Sequence, residues 1–265
     1  MQNLYEHAKK CFLISDPYEK VAATYEAVSL WKQNLLAWDE GVVPELLNQP
    51  GRLSRPEIVA PRDLNRRRCG KAAGRAAMVH AMAHIELTAV NLCWDAIYRY
   101  RDMPFEYYDD WVNVAEEEAN HFLALRDRIL EMGFDYGDFP AHEELWKMAI
   151  ATADDVTHRM GVVHRVFESR ALDVVPKTIK KFESMGERAL VRTLSVIGNE
   201  EIGHVGAGSR WFRYRCDLGG LEPDATFFQL VDHYMKGQLR GPFNYEWRQQ
   251  AGFSEGELLR LRDYE

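Results

Sequence analysis

Two copies of the pattern Glu-x-x-His, Glu118-Ala-Asn-His121 and Glu201-Ile-Gly-His204, sit in the middle of two long helical stretches of this 265-residue chain. Residues three apart project from one face of a helix, so each pair can grip one ion. Each motif follows a carboxylate on another helical stretch at nearly the same separation. Glu86 lies 32 residues before Glu118 (118 − 86), and Glu168 lies 33 before Glu201 (201 − 168). The acidic residues interrupt apolar stripes: Val79, Ala83, Glu86, Val90, Cys93, Ile97 in the first stretch, then Trp111, Val114, Ala115, Glu118, His121, Phe122, Leu125, Ile129 in the second. In the last they interrupt Leu190, Leu194, Ile197, Glu201, His204, Gly208, Trp211. A carboxylate on a core-facing stripe is costly unless it is paired or binds a cation.

A lone Glu-x-x-His is common on helix surfaces and says little. Two of them, each on an apolar stripe and each preceded by a carboxylate at matched spacing, repeat the ligand pattern of di-iron and di-manganese carboxylate bundles. The expected ligands are therefore Glu86, Glu118, His121, Glu168, Glu201 and His204. Glu117 and Glu200 also stand four residues before their histidines and could share a face with them. Glu118 and Glu201 are preferred because they fall on the stripes, which leaves Glu117 and Glu200 solvated or beside the ligands. His164, one turn before Glu168, is expected next to the metals or in a pocket wall. His80 and His84 lie off the face of Glu86 and read as structural. Trp94, Trp111, Phe167 and Trp211 are candidates to line a pocket, although aromatics at helical spacing usually form plain core.

Helical spacing recurs along the chain, with almost no period-two alternation flanked by hairpin turns, so the fold class is all-α. A short helix is expected over 4–13. A second follows Asp16-Pro17, a cap with proline in the first turn, and runs to about Trp38 before Gly41. Pro44, Pro50, Pro56 and Pro61 mark an extended connector that wraps the bundle. Long helices are expected from about Leu64 to Arg101 and from Phe105 to Met132. Others are expected over Glu143–Thr152, Asp154–Leu172 (stopped before Pro176), 177–185 and Glu187–Cys216, with one or two small helices in the tail. The expected division is a helical arm and connector over 1–63, a ferritin-like four-helix bundle over 64–218 and a tail over 219–265, all one compact domain.

The net charge is −8 and 28% of residues are charged. Such an acidic balance disfavours polyanions as partners. Arg62, Arg66, Arg67, Arg68, Lys71 and Arg75, with Arg210, Arg213 and Arg215, read as surface charge. The opening MQNLYEHAKK lacks the apolar run of a signal peptide, and no stretch of about 18 apolar residues stands out as a membrane span. Cys11, Cys69, Cys93 and Cys216 form no CxxC pair. They read as reduced thiols, which together with the missing signal gives a cytoplasmic expectation.

Several longer motifs, HAMAHIELTAVNLCWDAIYRY, DWVNVAEEEANHFLALRDRI, YGDFPAHEELW, FESRALDVVP and EEIGHVGAGSRWF, resemble an uncharacterised ferritin-like family, the domain of unknown function four-five-five. The likeness extends to DPYEKV and PGRLSRPEIVAPRDLNRR upstream and GPFNYEWRQQAGF downstream, and so covers nearly the whole chain. It implies a ferritin-like metal site on the same six residues. Two positions beside Glu168 depart from the family pattern: Ala171 stands where glycine is usual and His164 where proline is expected. A more distant similarity, at superfamily level, is to a di-iron hydroxylase acting on a modified adenosine in tRNA.

These readings together imply two iron ions, or a manganese–iron pair, with dioxygen as co-substrate. The function they favour is an oxygen-dependent oxidase or hydroxylase of a small organic substrate, with an external electron donor. A tRNA-modifying hydroxylase and a ferroxidase without organic substrate are the alternatives. Membrane association is not expected, and a homodimer is compatible with the chain.

Overall fold

The computed structural model describes residues 2–38, 44–64 and 70–265. The expected helix break at Gly41, the basic residues Arg66–Arg68 and Cys69 lie outside them. The described residues fold into helices, with one two-residue parallel pairing of Gln2–Asn3 on Leu36–Ala37 as the only named sheet among them. They divide into two compact units, Met1–Lys147 and Met148–Glu265.

In the first unit, α1 (Leu4–Leu13) and α2 (Pro17–Lys32) pack on a hairpin of two long helices, α3 (Ala72–Arg99) and α4 (Phe105–Glu131). Asp16 starts α2, its Oδ1 accepting from the backbone N–H of Tyr18 and Glu19 at 2.9 and 3.0 Å. The hairpin turn is closed by Tyr108, whose hydroxyl lies 3.0 and 2.7 Å from the carbonyls of Tyr100 and Arg101. Trp94, a fully buried anchor of α3, donates its indole N–H to Thr24 Oγ1 on α2 at 3.0 Å. By length and hydropathy α3 could cross a membrane, contrary to the expectation that no such stretch exists. Its most apolar window is 61% buried inside the protein, as in the core helix of a globular unit.

The boundary between units falls within α5 (Glu144–Ala151). The second unit holds α6 (Val156–Gly161), a π-helical turn (Val162–Phe167), α7 (Ser169–Ser184), α8 (Arg188–Gly219) and a tail of α9 (Pro223–Met235), α10 (Tyr245–Gln250) and α11 (Glu255–Leu261). α7 and α8 form its long hairpin, and the tail packs back onto that hairpin and the π turn.

Pro176 does not end a helix at Leu172, as its position in the sequence suggests. α7 runs through it to Ser184. Proline lacks the N–H that would bond the carbonyl four residues back, and that carbonyl belongs to Leu172. The side chain of Asn244, from the tail, donates to Leu172 O at 3.3 Å, while its Oδ1 accepts from Trp247 N and caps α10. The tail thus supplies the hydrogen bond that proline withholds. Asn244→Asp keeps the capping oxygen and removes the donor, so it is expected to cost about 1–3 kcal/mol in urea unfolding. Pro176→Ala, which restores the backbone donor, is expected to recover most of that loss in the double variant.

Candidate metal centre

α3 and α4 carry the first acid–imidazole set. The midpoint between Glu86 and Glu118 is residue 102 ((86 + 118)/2), inside the turn between the two helices, so the antiparallel hairpin brings them to one height. His121 Nδ1 lies 3.4 Å from Glu86 Oε2 and 3.4 Å from Glu118 Oε2. All three side chains are buried. Two carboxyl groups in a dry site raise each other's proton affinity. Burial, then the charge of Glu118, pushes Glu86 up to about 7. Burial alone would lower His121, but its contacts with Glu118 and Glu86 outweigh this and push it up to about 12. Without a cation the site draws a proton onto the imidazole, which is the behaviour of an anionic pocket.

The second unit carries the other Glu-x-x-His pair. Glu201 and His204 are buried on α8, with His204 Nδ1 3.8 Å from Glu201 Oε1. Glu168 is buried at the exit of the π turn. A helical residue ordinarily bonds four positions back, whereas the N–H of Glu168 reaches Val163 O, five back, at 3.1 Å. Such insertions occur frequently at functional sites, because the extra residue re-aims a side chain. A close backbone contact fixes the register. A Cβ on Gly208 would sit 2.6 Å from His164 O, so only glycine lets α8 approach the π turn here. In an antiparallel pair turning at Gly186, His164 stands opposite Gly208 ((164 + 208)/2 = 186), which sets Glu168 opposite His204 ((168 + 204)/2 = 186).

Each hairpin therefore carries a buried Glu, Glu, His set. Glu118, His121, Glu201 and His204 are buried and could hold a metal ion. The neighbouring Glu117 and Glu200 are only half-buried. His164 is buried in the π turn, against Gly208. His80 and His84 hold the turn after α4: His80 Nε2 accepts from Gly137 N at 2.9 Å, and His84 Nδ1 lies 2.8 Å from Tyr136 Oη. Asp95 and Arg170, which lie near the predicted ligands in sequence, pair locally with Arg99 and Asp173. Of the aromatic pocket candidates, Trp94 is committed to Thr24, Trp111 packs edge-on against Tyr107, Trp211 is buried against Tyr214, and Phe167 is half-buried. Cys11, Cys93 and Cys216 are buried and in no disulfide among the described residues, and burial pushes the Cys11 thiol up to about 12 and Cys216 up to about 11. Thiols held so firmly protonated are poor metal ligands.

Sequence reasoning missed the support behind the second set. Arg165, inside the π turn, is fully buried and forms a two-pronged ion pair with Glu257 of α11, both N–O distances being 2.8 Å. Its guanidinium also lies over the rings of Phe253, Phe227 and Phe212 at 4.4, 4.5 and 5.0 Å. One turn after Glu168, Asp173 pairs with buried Arg248 of α10 at 2.7 Å. Both clasps bracket Glu168. Their members are 92 and 75 residues apart, a distance over which no local pattern links them.

A family model described as Protein of unknown function (DUF455) matches residues 13–259, a span that includes every motif carrying the resemblance noted above. The chain is also 35% identical, over 260 residues, to a protein of Haemophilus influenzae described as an uncharacterized protein. That match covers 94% of this chain and 87% of the relative. No solved structure matches it.

Proposed function

The chain belongs to the DUF455 family, and from its paired acid–imidazole sets we propose that it is a ferritin-like dinuclear metal carboxylate protein that oxidises a small organic substrate with dioxygen. The observation that carries this reading is the buried group Glu118, His121, Glu201 and His204, which could hold a metal ion, with Glu86 3.4 Å from His121. In the proposed assembly the two sets are the halves of one centre, in a four-helix bundle made of α3, α4, α7 with its π turn, and α8.

The donor set fits the metals. Four carboxylates and two imidazoles, with no thiolate among them, suit iron(II) or manganese(II) rather than zinc or copper. Four carboxylates balance the charge of two divalent ions, which leaves a near-neutral centre compatible with burial. When bound, a pair of ferrous ions supplies the electrons that reduce dioxygen. The chain's own part is to fix the ligands and exclude water. Glu86, Glu118 and His121 sit on rigid helix interiors, the apolar stripes on either side keep the site dry, and the π turn aims Glu168. The net charge of −8 favours a small substrate over a polyanion. The buried reduced cysteines suit a cytoplasmic setting.

The test is an anaerobic titration with ferrous iron followed by dioxygen. A ferrous stoichiometry near two per chain and a transient absorbance on mixing are expected. A flat optical trace with unchanged ferrous iron would refute the oxygen chemistry. Complete ferrous oxidation that leads straight to a mineral product would instead favour the ferroxidase alternative.

A further inference from the structure

The first unit contains a second chemically distinctive place, independent of the metal reading. A cavity of about 60 Å³ lies between α2, α3 and the proline-rich connector, and its lining includes Lys20, Arg52, Arg55, Thr88, Asn91 and Glu143. A site for a drug-sized ligand needs about 300 Å³ or more, so this one suits a group of a few heavy atoms. Its α3 residues, with Leu87 among them, lie on the helix face opposite the Glu86, Val90, Cys93 stripe, so it is not part of the acid–imidazole cluster.

Its walls are pinned. A Cβ on Gly51 would meet Leu13 O at 2.0 Å, so the connector lies directly on the end of α1, with Gly51 N donating to Phe12 O at 2.9 Å. Further along, Val59 N donates to Ala141 O and Ala141 N to Glu57 O, both at 2.9 Å. The segment carrying Arg52 and Arg55 is thus tethered at both ends.

The lining is cationic. Lys20 is 1% exposed, and its ammonium donates to the carbonyls of Cys11 and Phe12 at 2.7 and 2.9 Å. An ammonium has three N–H donors, so one remains for a ligand. Arg52 pairs with Glu143 at 3.2 Å, and Glu143 is the only acid among the lining residues. Arg55 has no ion-pair partner among the described residues. His84, also in the lining, adds no charge, because burial, with His80 and His142 nearby, pushes it down to about 3. Arg52 and Arg55 against Glu143 leave one positive charge in excess, and Lys20, pushed down to about 7 by burial, takes up its full charge only beside an anion. Burying an ammonium that lacks a counter-ion is costly.

We propose that this cavity binds a small oxyanion, a phosphate or a carboxylate group, between Lys20 on its inner wall and Arg52 and Arg55 on its rim. Inorganic phosphate and succinate are the probes, read by calorimetry and by the rise in melting temperature on the full-length protein at constant ionic strength. At least one of the two should bind saturably, and the one that binds identifies the group. Arg55→Gln, an exposed change that leaves the fold intact, should weaken that binding about tenfold, as expected for one charge-assisted hydrogen bond. Lys20→Met should abolish it. If Lys20→Met does not fold, Arg52→Gln with Arg55→Gln serves instead and should lower affinity about a hundredfold. The proposal is overturned if neither probe gives a saturable response beyond equal ionic strength of chloride. It is overturned equally if Arg55→Gln binds as tightly as the parent.

Discussion

Glu257→Ala is expected to lower unfolding free energy by about 3–5 kcal/mol, because it leaves the Arg165 guanidinium buried with its main counter-charge removed. Both partners are 0% exposed at the side chain, and among the described residues the other cation on Glu257 is half-exposed Arg213 at 3.4 Å. Glu257 also closes the capping box of α11, accepting from Ser254 N at 2.8 Å while Ser254 Oγ accepts from Glu257 N. The double variant Arg165→Met, Glu257→Leu removes both charges and is expected to be less destabilised than Glu257→Ala alone. Urea unfolding monitored by circular dichroism measures both. A loss under 1 kcal/mol for Glu257→Ala would show that the pair does not anchor the tail. Since Arg165 sits between His164 and Glu168 in the π turn, the same variant is expected to weaken metal binding without touching a ligand.

His121→Ala and His204→Ala carry the second large effect. Each removes one imidazole from a different hairpin, and each is expected to lower the affinity for both ions by at least about 100-fold, since loss of mere supporting groups already costs 10–100-fold. Two independent mononuclear sites would behave differently, each variant losing one ion and keeping the other. Metal analysis after equilibrium dialysis distinguishes the two outcomes. Glu118→Gln is expected to abolish tight metal binding. In the metal-free chain it should also lower the pKa of His121, because the Glu118 carboxylate is among the contacts that push that imidazole up, an effect read by NMR titration of the ring.

The burial of the six acidic and imidazole residues and most helix ends are legible in the sequence because both depend on local patterns. A carboxylate at a stripe position needs only its own helix to be recognised. Pro17 after Asp16, and the glycines at 133 and 186, mark starts and stops through backbone geometry that any reader of the chain can apply. The second hairpin was harder. Pro176 carries a strong local signal to stop, and the hydrogen bond that overrides it comes from Asn244, 68 residues later (244 − 176). The π turn has no residue signature, since VVHRVF is compatible with an ordinary helix and only the Glu168 to Val163 bond reveals the extra residue. Gly208 offered one hint. A glycine in the core stripe of a long helix implies a close neighbour, and that neighbour is the backbone of His164. The clasps of Arg165 with Glu257 and Arg248 with Asp173 join residues through the folded tail, and buried arginines resemble surface ones until their partners are known.

Anomalous diffraction at the iron edge, from crystals of the protein reconstituted with ferrous iron, tests the joining of the two acid–imidazole sets most directly. The account predicts two peaks about 3.5–4 Å apart, the separation of two-metal sites, one ligated by Glu118 and His121 and the other by Glu201 and His204. A single peak, two peaks far from each other, or none at these residues would contradict it.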